Sequence, residues 1–279
     1  MMSLDRFRKN YIALAGAIII LFYVLVALLS LVWLPQDPLA MNSAEILKGP
    51  SFATGHLMGT DEFGRDIFSR VIVGSRISEI IAVGATGLGG AIGIFMGIWA
   101  GYLGGRWDNV IMRVTDVLFS FPTLLLALFI MAVLGEKTFN IVVAIGIVYI
   151  PQFARLSRAS ILAIRSSDYV RAARSIGGSR SYILFRHLLP NILVPIIVQI
   201  SLSLSVAVLL ESALSFLGLG VQPPAPSWGN MLSAARKYMT FAPWTAVFPG
   251  LAIVVLVLGF NLLGDGLRDL LDPRLKNVA

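Results

Sequence analysis

Six long stretches of this chain carry no Asp, Glu, Lys or Arg: residues 11–36, 80–105, 117–135, 138–154, 188–210 and 238–264. About 20 apolar residues in helical form cross the roughly 30 Å hydrocarbon layer of a bilayer, so each run has about the length of a membrane span. The fourth is expected to continue a turn past Arg155. A seventh uncharged stretch, residues 212–235, is broken by Gly218, Gly220, Pro223, Pro224 and Pro226. An interior proline costs a helix about 3 kcal/mol, so that stretch reads as a surface loop with one short helix. The expected fold is all-α and polytopic, with six transmembrane helices.

Composition points the same way. Hydrophobic residues make up 57% of the chain and charged ones 13%, against about 45–50% and about 25% in soluble domains. Those values argue against a cytosolic enzyme, a disulfide scaffold and a disordered chain. The absence of cysteine removes disulfides, zinc–thiolate sites and Cys nucleophiles. The start of the chain has the basic residues and apolar run of a signal peptide. That run is longer than a signal core and no small-x-small site follows it, so it is expected to remain as the first span.

Six spans put both termini on one side, and the basic residues choose which. With the N-terminus inside, the cytoplasmic segments hold most of the 22 basic residues, including Arg6, Arg8, Lys9, seven arginines in residues 155–190, Arg274 and Lys276. The outer segments hold only Lys48, Arg65, Arg70, Arg76, Lys137, Arg236 and Lys237. The positive-inside rule therefore predicts a multi-pass protein of the cell (cytoplasmic, inner) membrane with both termini cytoplasmic. It also accounts for the pI near 10 without nucleic acid as a partner. Residues 1–76 form a first transmembrane helix with an extracytoplasmic segment. Residues 77–264 form a five-helix core whose cytoplasmic loop is about 155–190, and 265–279 a short cytoplasmic tail. There is no repeat of about 20–50 residues and no separate soluble domain.

Catalytic signatures are missing. His56 and His187 fall on opposite sides of the membrane in this topology, so they share no metal. There is no H-E-x-x-H, no G-x-S-x-G and no Walker A pattern, so any ATP hydrolysis belongs to a partner. Glu79, Asp116 and Glu211 are the charges within or bordering the spans, too few for the proton relay of a typical secondary transporter. No metal site and no cofactor bound by this chain is expected.

Two patterns carry more information. In the second run Gly89, Gly93, Gly97 and Gly101 follow Ala85 at strict four-residue spacing, which puts them on one helix face. Such a face lets another backbone approach closely, either within the chain or across a subunit interface. In the long inner loop, Ser167 or Asp168 can cap a short helix whose positive end suits the carboxylate. Gly177-Gly178 stops that helix, Ser179 can cap the next, and Pro190 marks the entry to the fifth span. A short amphipathic helix between such stops is a docking element for a soluble partner, or an ordinary basic solvated loop.

This loop resembles the EAA loop of binding-protein-dependent ABC importer permeases, whose pattern is E-A-A, three residues, G, nine residues, then I-x-L-P. Arg171, Ala172 and Ala173 fall on E-A-A, Gly177 on the glycine, His187 on the isoleucine, and Leu189 and Pro190 on L-P. Arg171 for Glu and His187 for Ile are departures from the pattern. Two further stretches, His56 to Arg70 and Leu214 to Gly229, are similar to the second permease of dipeptide, oligopeptide and nickel importers. So is the tail from Phe260 to Asp269 and Leu271-Asp272-Pro273.

The resemblance implies a type I ABC importer transmembrane domain, forming a heterodimer with a homologous second permease. It implies two ATP-binding subunits, which hold ATP and Mg, and an extracytoplasmic substrate-binding protein. The expected cargo is a dipeptide or oligopeptide, with nickel or another metal chelate as the alternative. An ATP-independent secondary transporter is the remote rival. Asp168, Arg171, Ala172, Ala173, Gly177, Gly178, Leu189 and Pro190 are the candidates for coupling to the ATPase. Glu211, Ser215, Phe216 and Trp228 are the translocation or gate candidates; Glu211 can instead meet a structural partner such as a helix end or an Arg. In the outer motif Gly59, Thr60, Asp61, Gly64, Arg65, Asp66 and Arg70, the charged residues either brace a turn or meet the binding protein.

Overall fold

A computed structural model describes residues 10–271, so Arg6, Arg8, Lys9, Arg274, Lys276 and the Asp272-Pro273 end of the tail lie outside the described residues. Regular structure within that range is helical, with two isolated β-bridges in the segment after the first helix. The helices are α1 (Tyr11–Leu29), α2 (Ile67–Leu103), α3 (Gly105–Phe119), α4 (Thr123–Leu134) and α5 (Thr138–Ile164). Next come α6 (Asp168–Ser175), α7 (Arg180–Ile183), a π-helical turn (Leu184–Leu188), α8 (Leu189–Phe216), α9 (Trp228–Ala235) and α10 (Trp244–Leu271). α1, α2, α5, the continuous rod Arg180–Phe216 and α10 are each long and apolar enough to span a membrane. The all-α polytopic fold expected from the uncharged runs is the one observed.

Two spans differ from the runs that predict them. α2 begins at Ile67, inside the segment expected to precede the core, and is about 55 Å long at 1.5 Å per residue. Its first turns carry Arg70, Arg76 and Glu79, which interrupt the apolar run without interrupting the helix. The third span is broken: α3 and α4 are long and apolar enough to cross only as a pair, and that pair is bent by 90°. Pro122 explains the break, since it lacks an N–H and disfavours helical backbone at Phe121. α4 alone is about 18 Å long, too short to cross. α3 is amphipathic instead. Asp108 holds Arg158 in a bidentate pair with N···O distances of 2.5 and 2.7 Å, and Asp116 meets Arg155 at 2.7 Å, fastening α3 to α5. Its opposite face exposes Trp107, Val110, Val114 and Val117.

The glycine face of α2 packs against α5 of the same chain. A Cβ at Gly89 would lie 2.8 Å from Tyr149 Cβ, at Gly93 2.7 Å from Phe153 Cβ, at Gly97 2.8 Å from Ser157 Cβ and at Gly101 3.0 Å from Ile161 Cβ. Each step of four on α2 meets a step of four on α5, so the two helices run parallel in fixed register. α1 packs antiparallel on α10 through Gly16 and Gly266, and Tyr23 Oη donates to the Ala252 carbonyl at 2.9 Å. Ile81, Ala85, Ile145, Phe153, Leu214 and Leu256 fill the core between α2, α5, α8 and α10.

Candidate functional site

The end of the bundle that carries α6 and α7 has its own small core. Val170 and Ala173 from α6 pack with Ile183, Leu188, Ile192 and Ile161, which seats α6 on the ends of α5 and α8. Gly177, at φ +82°, ends α6 in the left-handed conformation that favours glycine. Gly178 donates its N–H to the Ala173 carbonyl at 3.0 Å, and Ser179 caps α7 by accepting from Tyr182 N at 3.2 Å. Ser167 occupies the N-cap position of α6, but its side chain makes no capping bond. Arg171, standing where the EAA pattern has Glu, pairs with Asp168 of its own first turn. Both side chains are exposed, so the pair contributes little to stability. Leu189 and Pro190 open α8 directly after the π-helical turn.

With Val170 and Ala173 turned inward, Tyr169, Ala172 and Ile176 form an exposed stripe at i, i+3, i+7 spacing. Ile176 is 85% exposed. Ala172 was legible as part of the motif frame; Tyr169 and Ile176 were not, although the periodicity of the eight-residue helix carries the signal. His187 lies against the rings of Tyr169 and Tyr182, with centroids 6.1 and 5.4 Å away. A His set edge-on and tilted against two tyrosine rings is therefore what replaces the Ile of the pattern.

The gate candidates fall in and after α8. Glu211, Ser215 and Trp228 are buried inside the subunit, and only Phe216 is exposed. Glu211 meets serines instead of an Arg or a helix end. Its carboxylate accepts from Ser78 Oγ of α2 at 2.9 Å and from Ser215 Oγ at 2.8 Å. Ser215 Oγ in turn accepts from Val221 N at 3.0 Å, so one carboxylate links α2, α8 and the proline-rich loop. Trp228 donates Nε1–H to the Val71 carbonyl at 3.0 Å, and its ring covers Gly74. These contacts fasten the loop and α9 to α2.

At the opposite end, residues 42–66 fold over the start of α2. Asp61 accepts from Arg65 Nε at 2.7 Å and from the backbone N–H groups of Phe63 and Arg65, while Arg70 Nε lies 3.4 Å away. Asp66 caps α2 by accepting from Ser69 N at 2.8 Å. Thr60 Oγ1 accepts from Lys48 N at 2.8 Å. Gly59 and Gly64 have φ of +77° and +73°, and a Cβ at Gly59 would lie 2.6 Å from the Lys48 carbonyl. His56 joins the layers, with Nδ1 2.9 Å from Asp66 and Nε2 3.1 Å from Glu45.

Burial opposes the charged His56, but hydrogen bonds to Asp66 and Glu45 outweigh it and raise its pKa above 6.5. The hydrogen bond to His56 leads the causes that lower Glu45 below 4.5. The His56 contribution is therefore complete below about pH 6.5 and lost as pH rises through the raised value. The Glu45 contribution is complete above about pH 4.5 and lost as pH falls through the lowered value. Chymotryptic cleavage at exposed Phe52, normalised to a free peptide, is expected to accelerate from pH 6 to pH 9, by at most about tenfold per pH unit for one proton. His56→Gln should flatten that dependence, and an unchanged profile in the variant would contradict it.

Residues 93–277 match the family described as binding-protein-dependent transport system inner membrane component, and residues 2–50 match the N-terminal TM domain of oligopeptide transport permease C. The chain is 44% identical over 278 residues to the dipeptide transport system permease protein DppC of Alkalihalophilus pseudofirmus, covering 99% of this chain and 90% of that protein. It is 44% identical to the glutathione transport system permease protein GsiD of Pectobacterium atrosepticum, over 98% of this chain and 90% of the relative. The GsiD protein of Escherichia coli O6:K15:H31 is 46% identical, over 97% and 89%.

Proposed function

The chain belongs to the family of inner membrane components of binding-protein-dependent transport systems, and on that premise we propose that it is one permease of an ATP-driven importer of small peptides. It forms half of the translocation pathway with a homologous second permease. One of two ATPase subunits, which hold ATP and Mg, docks on α6, and an extracytoplasmic binding protein docks at the end carrying residues 42–66. Both termini are cytoplasmic, an orientation that the arginine bias of the α6 end supports.

The observation that carries this reading is the geometry of α6. A helix seated on its own core, with an apolar stripe facing outward, supplies an anchored surface for a soluble subunit. The π-helical turn and α8 form a continuous rod from that surface into the bundle. ATP binding then favours one arrangement of the spans through its differential affinity for the closed ATPase pair. The relatives named for dipeptide and glutathione support a peptide cargo in preference to a metal chelate.

Purification from native membranes in mild detergent, followed by native mass spectrometry, tests the reading. A second permease and two Walker-A-bearing subunits are the expected companions. A stable homo-oligomer that takes up solute without ATP would overturn it.

A further inference from the structure

A cavity of about 350 Å³ lies between the C-terminal end of α2 and the α6–α7 pair, lined by Tyr102, Leu103, Arg174, Gly178, Arg180 and Ile183. Arg174 and Arg180 are exposed, and neither pairs with an acidic side chain among the described residues. Tyr102 Oη donates to the Arg180 carbonyl at 3.0 Å, which holds that residue at the wall. Nearby, Arg165 Nη1 donates to the Gly101 carbonyl at 3.0 Å and adds positive charge at the end of α2. A Cβ at Gly178 would lie 2.6 Å from the Ala173 carbonyl, so this wall carries no side chain. Beside these polar groups, Leu103 is exposed, as is the Trp107, Val110, Val114 stripe of α3.

We propose that this cavity binds the phosphate of an anionic phospholipid headgroup. Guanidinium forks match phosphate oxygens bidentately, and two unpaired ones lining a single recess make a phosphate site. The exposed apolar residues of α2 and α3 favour lipid over free phosphate, because they give acyl chains a surface next to the headgroup. The proposal rests on the cytoplasmic placement of the α6 end, where a leaflet rich in anionic lipid meets basic recesses between helices. A lipid held there joins α6 and α7 to the end of α2, so anionic lipid would steady the surface on which the ATPase docks.

The test uses the purified assembly in phosphatidylcholine nanodiscs with increasing phosphatidylglycerol, with retained lipid counted by native mass spectrometry. Each arginine that holds the headgroup in the recess contributes about fivefold, so R174Q/R180Q is expected to weaken phosphatidylglycerol retention by roughly 25-fold. R113Q/R268Q, equally cationic positions away from the cavity, should leave it within about twofold. Equal losses in the two pairs would overturn the site in favour of a diffuse field. Inorganic phosphate that binds the parent assembly alone and displaces the lipid at matching concentration would overturn the lipid assignment. Thermal unfolding in pure phosphatidylcholine checks folding, and R174Q alone, expected to lose about fivefold, replaces a double variant that fails to fold. Ala53→Cys and Ser166→Cys, in a chain without cysteine, report sidedness to an impermeant maleimide. Labelling of Ser166→Cys from outside would overturn the orientation, whereas loss of arginine dependence with correct sidedness would overturn the lipid site alone.

Discussion

Gly93→Leu combined with Gly97→Leu is expected to remove most of the protein from the membrane fraction. A Cβ at position 93 would stand 2.5 Å from the Ile150 carbonyl oxygen and 2.7 Å from Phe153 Cβ. A backbone carbonyl cannot rotate aside as a side-chain tip can. The four glycines meet α5 in constant register, so relief at one position means separating the helices along their length. In lipid that separation is not opposed by a hydrophobic drive, because helix association there rests on close packing. Overpacking costs about 1–3 kcal/mol at a single well-packed site, and two such sites approach the total stability of a marginal domain. Gly87, which has nothing within 4 Å of a Cβ, supplies the control: Gly87→Leu should keep parental abundance and thermal midpoint. Membrane levels and detergent thermal unfolding decide the matter, and parental levels of the double variant would refute the packing argument.

The spacing that made this face visible in the sequence did not say what it packs against. Period four identifies a groove, but its partner is a long-range fact, and here the constant offset to α5 fixes a parallel pair that no local pattern encodes. The broken third span was hidden for a similar reason. Counting between charges discards α3, because Arg106, Asp108, Arg113 and Asp116 look like loop, whereas both carboxylates meet arginines on α5. Pro122 lies inside the run counted as one span, and the 90° turn beside it needs the rest of the bundle.

Glu211 shows where reasoning from cost alone falls short. A buried carboxylate needs a partner, and the physics names donors without specifying a charge. Hydroxyl groups of Ser78 and Ser215 meet the requirement, one from α2 and one from its own helix a turn later. Ser215 is within reach of sequence reasoning at i+4, while Ser78, 133 residues away, is not. By contrast, the stop at Gly177 and the Ser179 cap were legible because both are local backbone requirements.

Three variants in and just past α6 separate docking from folding. Ala172 and Ile176 lie on the exposed stripe, so Ala172→Glu with Ile176→Glu changes the surface offered to an ATPase and leaves the supporting core untouched. Losing an apolar anchor at the centre of an interface costs about 2 kcal/mol or more, which corresponds to roughly 30-fold weaker retention of the partner. ATP-dependent uptake should fall with it, while abundance and thermal midpoint stay at parental values. Ala173→Glu acts differently. That side chain packs with Val170, Ile183 and Leu188, where a carboxylate would be buried among apolar groups without a donor. It should lower the thermal midpoint as well as uptake. Gly177→Val falls between these cases: no atom lies within 4 Å of its Cβ, but φ of +82° costs a branched residue about 1–2 kcal/mol, so α6 should fray at its end without clashing. Uptake in vesicles, co-purification of the ATPase and thermal unfolding, measured together, resolve the three outcomes. Parental uptake by the Ala172→Glu, Ile176→Glu variant would remove α6 as the docking surface, because both changes lie on its exposed stripe and spare its core.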